Sequence, residues 1–334
     1  MAHFDLYGLG NALVDTEYHI SDELLVGLGV EKGMMTLIDD AQLAVLEEQL
    51  RSRGELKKQA SGGSAANSLI AAANFGSKVF YSCKVANDEL GAFYHQDLVD
   101  SGVATNLDQI REPGTTGRCL VMVTDDAERT MNTFLGITGD LGAHEIDETA
   151  LKASSMLYIE GYLASSDKAR EAAIRAHQIA KDTGVQVALT FSDPAMVTYF
   201  KDQVSEMVGN GVDLLFCNEQ EAMIWTGEES IESALTALSN TATQWVCTRG
   251  QDGATVFDGR QRFDIPGRVV TPVDTNGAGD MFAGAFLYGL SNDWGFEKSA
   301  RFGVHTSGYL ITQYGPRVAL ANHAILLEEF EATC

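Results

Sequence analysis

AspThrAsnGlyAlaGlyAspMetPheAlaGlyAlaPhe, residues 274–286, is the stretch on which the reading of this chain turns. Gly277, Ala278 and Gly279 leave room for a ligand to approach the backbone, and the apolar-periodic run after them predicts a helix starting there. A helix N-terminus carries unpaired N–H groups and the positive end of the helix dipole, so the segment predicts an anion cradle. Asp280 lies inside it. Taken alone, a first-turn Asp simply complements the dipole. Inside a cradle a structural carboxylate would repel the ligand, whereas a base that removes a hydroxyl proton while the cradle holds phosphoryl oxygens has a use there.

Outward from this segment the chain reads as α/β. A strand at Phe4 to Leu9 runs into a glycine turn, residues 21–53 are helix-rich with Asp39 or Asp40 as N-cap, and an apolar helix follows SerGlyGlySer at 61–64. Short alternating runs between 113 and 136 predict a β-hairpin. Strands at 156–159, 187–191, 214–217 and 245–248 then alternate with helices near 167–183, 197–208, 219–226 and 230–239. Such alternation implies a mostly parallel central sheet with helices on both faces. No repeat or Pro/Ser-rich linker divides the chain, so one α/β domain over 1–334 with a small β-rich insertion is expected.

Composition narrows the ligand. With 23 Lys+Arg against 47 Asp+Glu the formal net charge is −24, which disfavours nucleic acid and anionic membrane surfaces as partners and leaves small molecules. Five cysteines without a C-x-x-C pair argue against a disulfide framework or a zinc knuckle, and the N-terminus has neither signal-peptide region, so a cytoplasmic protein is expected. No G-x-x-x-x-G-K-[ST] occurs, which excludes a P-loop. Gly8-Leu9-Gly10-Asn11-Ala12-Leu13 follows a strand like a dinucleotide fingerprint, but Leu13 stands at its third glycine.

The 274–286 segment closely resembles the second signature of the ribokinase-like (PfkB) carbohydrate and nucleoside kinases, and GlyGlySerAlaAlaAsn at 62–67 resembles the first. The resemblance covers nearly the whole chain. It implies a ribokinase-like fold, ATP as phosphoryl donor and Mg²⁺, with Asp280 as catalytic base and the amides of Gly277, Ala278, Gly279 and Asp280 as anion hole. Asn218 and Glu221 match the family's N-x-x-E motif, which organises Mg²⁺ through water; an Asn/Glu helix cap is the local alternative. Thr248, Arg249 and Gly250 resemble the segment at the ATP phosphates. Asp15 matches the aspartate that grips two sugar hydroxyls, and Asn11, Gly62, Gly63 and Asn67 complete the implied substrate face. A K⁺ site is implied near Asp274 and the turn at 314–317.

The resemblance also implies a lid formed by about 11–38 and 113–136, with Arg129 reaching the transferred phosphate and Phe134 stacking on a base. GlyAsnAlaLeuValAsp and the helix-rich stretch 21–53 resemble the adenosine kinase members, which points to a ribonucleoside 5′-hydroxyl as acceptor. Sugar kinases of the same family, and a non-catalytic nucleoside or sugar sensor, remain open alternatives. The resemblance is compatible with a monomer or a homodimer.

Overall fold

The computed structural model describes residues 3–333. Its first strands are β1 (Phe4–Leu9), β2 (Leu13–His19), β3 (Met35–Leu37), β4 (Glu55–Gly62), β5 (Val79–Ser82), β6 (Gly117–Val123) and β7 (Arg129–Phe134). The remainder are β8 (Ser154–Glu160), β9 (Gln186–Thr190), β10 (Val212–Asn218), β11 (Ala242–Thr248), β12 (Ala254–Phe257) and β13 (Arg262–Ile265). Eight strands form one sheet in the order β13-β12-β11-β10-β9-β8-β1-β5. From β5 to β11 all neighbours are parallel, and β12 and β13 extend the edge antiparallel.

The parallel strands are buried on both faces, as their continuous apolar runs require. Tyr7, Leu9, Leu157 and Ile159 enter one core, while Leu6, Met156 and Tyr158, one residue out of step, enter the other. Helix Asp167–Thr183 matches its expected bounds, capped by Ser166 and ended by Gly184 at φ 76°. The helix expected near 197–208 is broken at Phe200 into Pro194–Tyr199 and Lys201–Val208. Among the described residues no helix is long and apolar enough to cross a membrane. Cys83, Cys119, Cys217 and Cys247 are buried free thiols, and Cys334 lies outside the described residues.

A second sheet has the order β3-β7-β6-β2-β4. The hairpin expected between 113 and 136 is β6–β7. The bounds 11–38 and 113–136 are too narrow for this sheet, because β4 pairs antiparallel with β2 along its length. GluLeuLysLysGlnAlaSerGly carries no apolar alternation: Glu55, Leu56 and Gln59 are exposed at the sheet edge and Lys57 and Lys58 only partly covered, a position where lysines and glutamate are tolerated. Helix Asp40–Arg53, held at its start by a capping box from Asp39 to Gln42, covers the outer face with Leu43, Leu46 and Leu50. The chain passes between the two sheets four times, the first at residues 10–12 and the second beginning at 63–64.

Helix Ser64–Phe75 and helix Ala278–Ser291 pack side by side. Their closeness is set by small residues: a Cβ on Gly284 would overlap Ser68 O and lie 2.7 Å from the Ala71 Cβ. Both helices start at the C-terminal end of the large sheet, so the tight crossing brings their first turns together.

Candidate active site

Where those first turns meet, Ser64 Oγ donates to Asp280 Oδ1 at 2.6 Å and Asn67 Nδ2 donates to Oδ2 at 3.0 Å. Asp280 is thus held in one rotamer from two sides. Burial pushes its pKa up, opposed by the Ser64 and Asn67 hydrogen bonds and by the Arg129 charge. A raised carboxylate is a better base near neutral pH. Ser64 escapes the sequence reading; its place in the first turn after GlyGly was the available signal.

Gly277 is the N-cap of the second helix at φ 74°, and a Cβ there would overlap Pro316. The cradle is narrower than the four amides expected, because Ala278 N–H turns back to Thr275 O at 3.2 Å. The N–H groups of Gly277, Gly279 and Asp280 have no protein acceptor among the described residues. A Cβ on Gly279 would meet no protein atom, so that position opens toward the cavity.

These groups line a cavity of about 300 Å³ that Asn11, Asp15, Gly63 and Asn67 also line. Asp15 projects from β2, and burial raises its carboxyl to about 7 against the pull of Arg317. Gly62 does not line the cavity; it makes room for the Asp15 carboxylate, which any Cβ there would overlap. Asn67 is committed to Asp280 through Nδ2, while its Oδ1 is buried without a partner.

The small sheet closes the other side. Alternate residues of β7 and the residue after it, Arg129, Met131, Thr133 and Leu135, face the cavity. Phe134 is out of step with them: it packs with Leu120 and Met122 on the outer face, so it does not reach a ligand in the cavity. Arg129 donates to Met131 Sδ at 3.1 Å and forms no ion pair among the described residues. A buried guanidinium in that condition is suited to an anionic ligand. The tip of the β6–β7 hairpin touches the cradle, with Thr275 Oγ1 donating to Ala127 O at 3.2 Å.

Ends of the parallel strands supply the remaining wall. Asn218 and Glu221 form a reciprocal capping box, two bonds of 2.8 Å, and both line the cavity. Glu221 keeps one carboxylate oxygen outside that box, and burial raises its pKa to about 8. Thr248 lines the cavity, but Arg249 does not; its Nε pairs with Glu219 at 2.7 Å. Gly250 forms the turn beyond, at φ 54°. Asp274 is buried with both oxygens engaged, Oδ1 by Asn276 N–H and Oδ2 by Gly315 N–H, each at 2.8 Å. It therefore ties the cradle loop to the turn at 314–317. Glu160, at the end of β8, is a wall residue the sequence reading passed over.

Three of these buried carboxyls set a pH dependence of stability. Asp15 and Glu160 at about 7 and Glu221 at about 8 hold protons in the folded state that the unfolded chain has already released near its ordinary carboxylate pKa of about 4. Stability is thus greatest below that ordinary value for these groups and is lost as pH rises through 7 to 8. The ligand-free protein is expected to melt at least about 4 °C lower at pH 8 than at pH 6. A melting temperature that rises over this interval in calorimetry contradicts the assignment.

A raised carboxylate beside an anion cradle, a buried unpaired arginine and strand-end polar residues make a site for phosphoryl transfer to an alcohol. Residues 33–322 match the pfkB family carbohydrate kinase description. This chain belongs to that family, whose members are phosphotransferases that use ATP and a nucleoside or sugar with an alcohol acceptor. It is 26% identical to the adenosine kinase of Saccharomyces cerevisiae over 92% of this chain and 95% of that protein. A probable sugar kinase from Rhizobium etli has a structure with a TM-score of 0.91, 32% identity, and coverage of 98% of this chain and 99% of that one. The adenosine kinase of Sinorhizobium meliloti gives a TM-score of 0.90, 33% identity, and coverage of 98% and 100%.

Proposed function

We propose that this chain transfers the γ-phosphoryl group of ATP to the 5′-hydroxyl of a ribonucleoside, with adenosine as the preferred acceptor. The observation that carries the acceptor class is an apolar slot: Leu13, Met35, Leu37, Met131 and Leu135 line the same cavity as Asp15 and Asp280. A free sugar offers hydroxyls at every edge and gains nothing from such a wall, whereas a purine buries its faces there. Similarity to adenosine kinases agrees with this reading.

In this reading Asp15 accepts two ribose hydroxyls, Asn11 and the Gly63 backbone frame the sugar, and Asp280 takes the 5′-hydroxyl proton. Ser64 and Asn67 hold that base. The free amides of Gly277, Gly279 and Asp280, together with Arg129, stabilise charge on the transferred group. Asn218 and the outlying Glu221 oxygen fit a hydrated Mg²⁺, which balances phosphate charge when bound. Thr248 stands at the phosphates; Arg249 contributes from outside the cavity. The small sheet acts as lid and excludes water. Carbonyls beside the Asp274–Gly315 junction suit K⁺.

An ATP-consumption assay over adenosine, inosine, guanosine, ribose, fructose and 2-keto-3-deoxygluconate tests this, run with K⁺ and again with tetramethylammonium in its place. Adenosine-dependent ADP formation, faster in K⁺, is expected. Exclusive turnover of a free sugar overturns the acceptor, and no acceptor-dependent ADP with any of the six favours a binding protein.

A further inference from the structure

Glu160 ends β8 with a fully buried side chain and no cationic partner among the described residues. Its Oε1 accepts from Asn11 N at 3.2 Å and from Asn11 Nδ2 at 3.1 Å, and its Oε2 accepts from Ala65 N at 2.8 Å. One carboxylate thus grips two of the four places where the chain passes between the two sheets. The packing around it is tight, since a Cβ on Gly10 would lie 2.7 Å from Glu160 Oε2. An apolar residue would fill a strand end without the cost of burying a carboxyl.

We infer that Glu160 is a positioning residue for the acceptor: it fixes the Asn11 amide and the start of helix Ser64–Phe75 so that the sugar-binding face is formed before ligand arrives. With one Nδ2–H committed to Glu160, the Asn11 amide is held in one orientation, in which Oδ1 has no side-chain tie to Glu160 and is left to accept from a hydroxyl. Through Ala65 the same carboxylate sets the turn that carries Ser64, the donor to Asp280. Glutamine at 160 cannot reproduce this. Its amide oxygen serves one side, and its NH₂ then faces an N–H on the other.

The inference rests on the reading of this cavity as the acceptor site. The test is E160Q in the full chain, assayed with adenosine and ATP. KM for adenosine is expected to rise roughly 10- to 100-fold, the scale of a lost hydrogen bond to a buried carboxylate, with KM for ATP within about twofold. In an Asn11→Ala background the further effect of E160Q on adenosine KM is expected to shrink to less than about threefold, because the two residues act together. Equal rises in both KM values, or an unchanged adenosine KM, overturn the inference. If E160Q is not recovered folded, E160D, which keeps the charge and shortens the reach, carries the same expectation. Should the wild type turn over ribose and not adenosine, the nucleoside reading fails and E160Q is scored with ribose, so the two failures stay separate.

Discussion

Asp280→Asn is expected to lower kcat by at least about 10², the low end of general-base effects, while adenosine and ATP still bind. The variant should fold, for a reason visible around the side chain. Asparagine keeps the shape and can accept from Ser64 through Oδ1, but its NH₂ would then face Asn67 Nδ2. Asn67 can turn its amide over and offer Oδ1, which is buried without a partner in the wild type. What the variant loses is a group that takes a proton. Initial rates of ADP formation, with calorimetric binding of both substrates, check this; near-normal turnover would sink Asp280 as the base.

Gly277→Ala is the second change with a large expected effect. The residue stands at φ 74°, where a side chain costs roughly 1–2 kcal/mol, and the added Cβ would overlap Pro316. The cradle loop must then move away from the turn at 314–317, taking its three free amides out of line. Removing one preorganised oxyanion donor typically costs about 10²–10³ in kcat, and displacement of the loop should cost no less. Melting should fall together with kcat. Gly279→Ala separates the two contributions: its Cβ meets no protein atom, so it should leave the melting temperature nearly unchanged and still depress kcat by intruding on the phosphoryl position. A Gly277→Ala enzyme with wild-type turnover would contradict the cradle.

How much of this was legible in the sequence depended on whether a feature is local. The cradle, the start of its helix and Asp280 lie within residues 274–280, and the apolar periodicity after Gly279 announces the helix directly. The parallel strands read clearly because burial on both faces demands unbroken apolar runs. β4 did not, since an edge strand whose Glu55–Gln59 half is exposed or only partly covered has no such demand on it. Phe134 shows the same limit at the level of one residue: period 2 puts it on the face opposite Arg129, but which face looks inward is decided by strands far away in sequence. The Glu160 carboxylate ends an apolar strand, a position where α/β sheets place polar groups, yet its partners are 149 and 95 residues away. Arg249 reads as a free phosphate ligand until Glu219 is seen beside it.

The place of β1 in the large sheet bears on how the protein is made. β1 pairs with β5 on one side and with β8 on the other, joining Phe4 to Ser154, a separation of 154 − 4 = 150 residues. Pairings of such span form slowly, because the intervening chain must be gathered before the contact repays its ordering. Asn11 follows the end of β1, Asp15 lies on β2 just beyond it, Glu160 ends β8, and Asp280 joins them only when the helix after the cradle packs on Ser64–Phe75. A growing chain therefore has no site until synthesis has passed residue 280, and catalytic competence arrives in one late step rather than accumulating as the polypeptide lengthens.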